Sequence, residues 1–581
     1  MAYSTQQSYQ SPLQILRQGI DSYAPYLQPS GELHDPVFGE PTQYGTAYYA
    51  LCNAALATKT GTPSLNDASR QCYAERSLRG LRAALEHVSN RSLVPTASSF
   101  RRDTGQVRRE NHRDFFWLPI LKTYCLLKNV AESNALAQQI ASVDIEHAFD
   151  SRPPTNWAVV WLDGEWLRFR EGLSPYSLDQ IDRWLDSFFQ QRILVEQGFY
   201  QEPGHPNSYD LFTRYHLANM LIEGYHGRWQ STLEQLLMLG LQRSLDVQLS
   251  DGSLASAHRS TGQTWTLGAQ CAYFTQAANY LGNHHPALAS QALRAAQRAL
   301  NSMLRWQRRD GPYSPVENCL PPNYRVGYES YTADAHYGSL ALSFLAEAVL
   351  HGLDQATPAE TLSRSPCARI EHDPTHRAIA HNGNYSVHIN ACPSPDYDGF
   401  GIVDLTFGTD RFLHFASSAR HVESRRMFNL GLAHRNQAGR SELAVMAQQD
   451  MVLLGEIERG DTPASLALQA RPKGHPHLYR LAAWLEMDGV RIVEATPGLN
   501  NYKSLLVPYL RDAGTGQLTQ VQISRGEIRL IHGEETVSIV TELPIEHILN
   551  LDYGFENRRG LCGLLRIDFR DPGEEIAYHL E

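Results

Sequence analysis

The chain has 581 residues, 42% hydrophobic and 19% charged, which is the composition of a folded protein too long for one simple core. Its formal net charge of −11 excludes general attraction to nucleic acid, although overall charge says nothing about a local positive cleft. The eight cysteines form no CxxC pair, disfavouring structural zinc and a dense disulfide scaffold, and no run of about 18 apolar residues marks a membrane span.

The N-terminus, MAYSTQQSYQSPLQILRQGI, lacks a basic segment followed by an unbroken apolar one, so cytoplasmic residence is the default expectation. From about residue 10 to 355, long helical patterns alternate with turn-rich connections. Examples are 72–90, 114–129, 177–197, 231–250, 266–282, 286–306 and 333–352, each with apolar residues at three- and four-residue spacing. Helices of this length joined by short turns predict helix pairs that close into an (α/α) toroid, complete or incomplete, with active-site residues at helix N-termini and in the loops of one rim.

After about residue 370 the pattern changes. YSVHINA, GIVDLTF, SELAVMA, YRLAAWLEM, VRIVEA, TQVQISRG, EIRLIHG, TVSIVTE and LLRIDF are short, rich in β-branched residues and bounded by turn formers. They predict an antiparallel β-sandwich. The multidomain α+β reading is therefore a toroid over 1–365 and a β-sandwich over 366–581, with the unpatterned stretch 354–376 as the boundary.

The stretch YDLFTRYHLANML, 209–221, opens a helix with an acid and carries a base one turn later. Asn207 and Asp210 have capping-box spacing, and Asp210 can pair with Arg214, so packing alone explains both. The functional alternative places the helix N-terminus in a cleft. There Asp210 is an acid, base or hydroxyl anchor, Arg214 holds an anion, and Tyr209 and His205 line the wall. Glu202, on the preceding loop, is a candidate second carboxylate.

The loop ENCLPPNYRVGYESYTADAHYG, 317–338, is denser in Tyr, Arg and acid than packing requires. It offers Glu329, Tyr328, Tyr331 and His336. Between two predicted helices, LSDGSLASAHRSTGQTWTLGAQ, 249–270, offers His258, Arg259 and Trp265 to place and stack a uronate, against a solvated loop anchored by its tryptophan. Asn156 and Trp157, in PTNWAVVWLDGEWLRFREG, suit carbohydrate nearly as well as helix packing. Asn111, His112 and Arg113 read first as a cap, and Arg420 and His421 are weak candidates in the β region. No HExxH, P-loop, dinucleotide loop or GxSxG motif is present.

GFYQEPGHPNSYDLFTRYHLANML resembles the signature of domain-of-unknown-function family 2264. The matching positions are Gly198-Phe199-Tyr200, Asp210 to Arg214 and Ala218 to Leu221, with Thr213 and Ala218 replacing the family's Asn and His. Asn156-Trp157 and Arg259-Ser260 match two further segments of that family, in order. The resemblance implies a helical-toroid carbohydrate enzyme with a β-rich C-terminal domain, related to glycoside hydrolase family 154 and its β-glucuronidase activity. The same architecture is shared by polysaccharide lyases of the heparinase and chondroitinase type.

Three functions stay open on the residues. The first is hydrolysis of a uronate-containing (glucuronate) oligosaccharide, with two acids among Asp210, Glu202 and Glu329, an arginine on the sugar carboxylate, and His205 and His258 orienting hydroxyls. The second is β-elimination, in which Asn207, Arg259 or His258 neutralises the uronate and Tyr209, Tyr328 or Tyr331 moves the proton. The third is noncatalytic carbohydrate binding. No cofactor or metal is expected, the expected partner is the oligosaccharide, neither nucleic acid nor membrane is expected to bind, and self-association is left open.

Overall fold

The computed structural model describes residues 10–59, 65–97, 108–129, 133–204, 207–355, 365–372, 375–393, 397–408, 411–417, 428–434, 444–445, 451–474, 476–498, 502–524, 527–570 and 573–581. His205, Arg420 and His421 lie outside them. Among the described residues there are thirteen α-helices: α1 (Pro12–Tyr23), α2 (Gly45–Thr58), α3 (Asp67–Ser89), α4 (Trp117–Leu127), α5 (Ser133–Ser142), α6 (Ile145–Ala148), α7 (Asn156–Arg170), α8 (Leu178–Gln191), α9 (Asn207–Ile222), α10 (Gln230–Asp246), α11 (Trp265–Leu281), α12 (Pro286–Leu304) and α13 (Asp334–Leu350).

Six of them form a closed inner ring, packed in the order α2, α4, α7, α9, α11, α13 and back to α2. An outer helix packs beside each: α3, α5, α8, α10, α12 and α1. The sequence sets this division. Every residue of α13 from Asp334 to Val349 is buried, as a helix apolar on all sides requires. In α8 only Ile181, Asp182, Leu185 and Phe188 are buried, one stripe of an otherwise polar helix. Inner neighbours approach closely where a side chain is missing: a Cβ on Gly268 of α11 would sit 2.3 Å from the Ala341 carbonyl oxygen of α13.

The remainder is antiparallel β-structure, beginning at Cys367 after a 3-10 turn at Leu353–Gln355. A five-stranded sheet runs in chain order from Cys367–Glu371 to Phe415–Ala416. A second sheet of five centres on Lys503–Asp512 and Gly560–Phe569, and a third of nine reaches from Met451–Leu453 to Gln520–Ser524. Side chains of all three, among them Val387, Leu505, Ile567, Leu481 and Ile528, share one core. Pro508 stands inside the Lys503–Asp512 strand because its neighbour Gly431–His434 pairs only with residues 503 to 506. Past that point one side of the strand needs no amide donor.

Loops of the toroid rim lock onto the β region. Ser250 N–H donates to Ser386 Oγ at 2.6 Å, and His258 N–H donates to Asp398 Oδ2 at 2.7 Å. Arg559 joins Asp251 at 3.0 Å and Glu317 at 2.9 Å.

Candidate active site

Because inner and outer helices alternate in direction, all six inner helices begin at the same rim, and a cavity opens there. It encloses about 770 Å3, mouth included. Gln43 and Tyr44 come from the start of α2, Phe115 from the turn before α4, and Trp157 from the first turn of α7. Tyr209 and Phe212 come from the start of α9, Trp265 from the start of α11, and Tyr337 and Leu340 from α13. Thr96, Glu110, His112, Arg259 and Tyr331 complete the wall from loops and a short hairpin. Helix N-termini converging on one hollow favour negative charge there, a local effect that the net charge of the chain does not exclude.

One hydrogen-bonded row crosses the cavity wall. The Tyr209 hydroxyl lies 2.8 Å from Ser260 Oγ, which lies 2.8 Å from the Tyr331 hydroxyl. The Arg259 guanidinium sits over the Tyr209 ring, 4.7 Å from its centre, with 44% of its side chain exposed toward solvent. Behind the row Glu329 is buried and accepts the Ser260 N–H, and burial lifts its carboxyl to about 7. Burial also raises the Tyr209 phenol, while Arg259 and the hydrogen bonds of Ser260 and Tyr331 pull it down. His258 and Ser260 hold φ of +71° and +65°, left-handed values costly for residues with a Cβ, which the surrounding bonds maintain.

Asp210, the next residue after Tyr209, points elsewhere. Its two oxygens take Arg214 Nε and Nη2 at 2.8 Å each, the Tyr200 N–H at 2.8 Å, and Arg243. Burial works to raise its pKa, but the Arg214 and Arg243 guanidiniums outweigh this and hold it below the ordinary range. The carboxylate is sealed and charged, so it neither lines the cavity nor suits a general acid. The predicted capping box does not form: Asn207 lies inside α9, and its side chain bonds the Ala255 carbonyl, Arg243 and Arg377. Arg214 is 2% exposed and spent on Asp210, Gly240, Tyr273 and Ser244, which leaves it no reach to a substrate.

The other predicted residues divide the same way. Tyr209, Arg259, Trp265, Tyr331 and Trp157 line the cavity. Tyr328 is buried with its hydroxyl 2.9 Å from Asp334, a carboxylate that helps to keep the phenol protonated. His336 is fully buried, 3.1 Å from Thr42 Oγ1. His258 is buried at the seam with the β region, and Asn156 is buried in the first turn of α7. Neither lines the cavity. Glu202 accepts the Tyr200 hydroxyl at 2.8 Å and lies 3.7 Å from Arg259, and burial raises its carboxyl. Among the described residues Glu110 is the one carboxylate on the wall, so the facing pair expected for hydrolysis is not assembled there.

Sequence reasoning undervalued His112. It is 2% exposed, its ring makes no hydrogen bond among the described residues through either nitrogen, and it is held neutral by burial, which lowers its pKa to about 4. Trp265 Nε1 and Gln43 Oε1, on the same wall, also lack hydrogen-bond partners among the described residues. Buried polar atoms left so are costly unless a ligand or water satisfies them. Among the described residues one trio of metal-ligand type, Glu486, Asp488 and His579, comes together, and none of the three lines the cavity.

No family model and no curated protein matches the chain. Solved structures do. A Paenibacillus xanthan lyase aligns with 98% of this chain and 56% of its own, at 9% identity and a TM-score of 0.52. A Streptomyces coelicolor chondroitin AC lyase aligns over 98% and 78%, at 12% identity and a TM-score of 0.49. A heparan sulfate lyase from Pedobacter heparinus aligns over 90% and 91%, at 12% identity and a TM-score of 0.34. The chain is thus similar in fold to the xanthan lyase, a helical toroid followed by antiparallel β-sheets.

Proposed function

We propose that this chain is a carbohydrate-active enzyme that cleaves uronate-containing glycans by β-elimination. The observation that carries the reading is Tyr209, held at the cavity wall by Ser260 and Tyr331 under the exposed Arg259 guanidinium. The fold shared with a xanthan lyase supports it, as does a wall with two tyrosine hydroxyls in one row and a single carboxylate among the described residues.

In this mechanism Arg259 pairs with the sugar carboxylate, for which a planar guanidinium is shaped. That pairing, in the field of the six helix N-termini, stabilises the negative charge that develops when C5 loses its proton. The Tyr209 oxygen, ionised to the tyrosinate, takes the proton. The electron pair of the C5–H bond becomes the C4–C5 double bond, the C4–O bond breaks, and Tyr209 returns the proton to the leaving oxygen. Neutral His112, the Trp265 indole N–H and Gln43 hold sugar hydroxyls, and Trp157 and Phe115 offer apolar faces to the ring. Because burial raises the Tyr209 phenol, the rate should climb as pH moves from neutral to alkaline.

The test is incubation of the protein with a panel of glucuronate-containing oligosaccharides, reading ultraviolet absorbance and reducing ends together. Elimination yields one unsaturated, absorbing end for every bond cut. Reducing ends without absorbance would replace this reading by hydrolysis, and binding without cleavage would replace it by a lectin-like role.

A further inference from the structure

Arg259, the cation of the proposed mechanism, has a pinned backbone. Left-handed turns at His258 and Ser260 flank it, and the N–H groups of those two residues are held by Asp398 and Glu329. Its own carbonyl accepts the Ser208 hydroxyl at 3.2 Å. The side chain is held more lightly. Among the described residues its guanidinium makes no hydrogen bond, and it rests on two contacts instead. Its central carbon lies 4.7 Å from the centre of the Tyr209 ring, and Nη2 lies 3.7 Å from Glu202 Oε1.

Of the pair, Glu202 is the one built to stay in place. Its other oxygen accepts the Tyr200 hydroxyl at 2.8 Å, and that hydroxyl also lies 2.9 Å from the Pro154 carbonyl, just ahead of α7. Tyr200 is fully buried, with its N–H on Asp210 and its backbone paired with Ile193. Glu202 itself is 9% exposed, and Arg259 is the one cation within 4 Å of it among the described residues. A carboxylate so buried holds its single guanidinium firmly, because parting them leaves a charge unpaired away from water. Glu202 does not line the cavity, so it reaches the sugar only through Arg259.

We propose that Glu202 is the positioning residue for Arg259, holding one edge of the guanidinium over the Tyr209 ring and leaving the rest of it to the sugar carboxylate. The guanidinium then serves two carboxylates at once, Glu202 from behind and the uronate from the cavity, where 44% of the side chain is exposed. Without Glu202 the long side chain would follow the uronate, bind it more tightly and leave the Tyr209 ring. The phenol would lose the cation that favours its ionisation. Capture and turnover thus pull in opposite directions, and the carboxylate behind Arg259 sets the balance. The inference rests on Arg259 as the carboxylate anchor of the proposed elimination, but one of its two tests does not need turnover.

The first test is calorimetric titration of the full chain with glucuronate, which has no glycosidic bond to cleave, and with glucose as the uncharged control. Glu202→Gln, which can still accept the Tyr200 hydroxyl, should tighten glucuronate by about threefold or more and leave glucose unchanged. The second test follows kcat and KM on a glucuronate oligosaccharide. Glu202→Gln should lower kcat by about tenfold while KM also falls. Tyr200→Phe, which loosens the carboxylate but keeps its charge, should lower kcat without tightening glucuronate. In an Arg259→Ala background Glu202→Gln should change neither binding nor kcat. Glucuronate bound equally or more weakly by Glu202→Gln, or the same losses persisting without Arg259, would reduce Glu202 to packing and overturn the role. Tighter glucuronate in a protein that makes no unsaturated product overturns the elimination reading and leaves the pairing of Glu202 with Arg259 standing.

Discussion

Tyr209 and Asp210 are neighbours in the chain and opposites in the fold. The first turn of α9 presents Tyr209 to the cavity and buries Asp210 against α10, where Arg214 and Arg243 close over it. Tyr209 keeps a hydroxyl in a short polar row beside an exposed cation. Asp210 has every oxygen committed. The difference teaches that a charged residue at a helix N-terminus can serve the frame while its uncharged neighbour faces the cavity, since a turn of 100° per residue separates their surroundings.

The contrast yields expectations in descending order of effect. In the proposed elimination Tyr209→Phe removes the hydroxyl assigned to the proton transfer and should lower kcat by about 10²- to 10⁴-fold, with an unchanged melting curve. A small loss in the absorbance assay would place the base elsewhere.

Asp210→Asn should do the reverse. It leaves two buried guanidiniums short of a counter-charge and should cost about 3–5 kcal/mol of stability by denaturant titration, while folded enzyme keeps most of its kcat. The sign with pH follows. A carboxyl held below its unfolded value of about 3.9 stabilises the fold above that pH, and the contribution disappears as pH falls through the lower folded value. The variant should therefore lack part of the wild-type loss of stability in acid.

Arg259→Ala should cost roughly 1.5–3 kcal/mol, about ten- to a hundredfold in kcat/KM on uronates, and little on stability because the side chain is exposed. Trp157→Ala should be mildest, about 0.5–1.5 kcal/mol and read mostly in KM, if its ring serves as a platform for sugar.

Much of this frame was legible in the residues. Apolar spacing marked most of the long helices, and the i,i+4 pair Asp210–Arg214 forms as expected. What spacing could not show was Arg243, brought onto the same carboxylate from α10, so the cap was misread as a box. The rim placement of candidate residues was readable from the rhythm of helix pairs. Which of them reach the cavity was not, because Tyr209 and Tyr328 look alike until Asp334 claims the second. Ser260 entered the sequence reading only through the Arg259-Ser260 match to domain-of-unknown-function family 2264, as its place depends on two tyrosines meeting across parts of the chain far apart in sequence. In the β region, Arg377–His381 and Lys503–Asp512 escaped notice for a physical reason. The first is buried along its whole length, which removes the alternation, and the second contains a proline that only its half-paired position tolerates.

The seam at His258 carries a practical consequence. Asp398 grips the His258 amide, and the Arg558 side chain fills the space beside Gly262, where an added Cβ would come within 2.2 Å of it. Both anchors belong to the second half of the polypeptide, yet they set the height at which Arg259 and Ser260 stand over the hollow. Severed from that half, the helical ring would be a poor vehicle for grafting this chemistry onto another scaffold: it could keep its shape and still lose its reach.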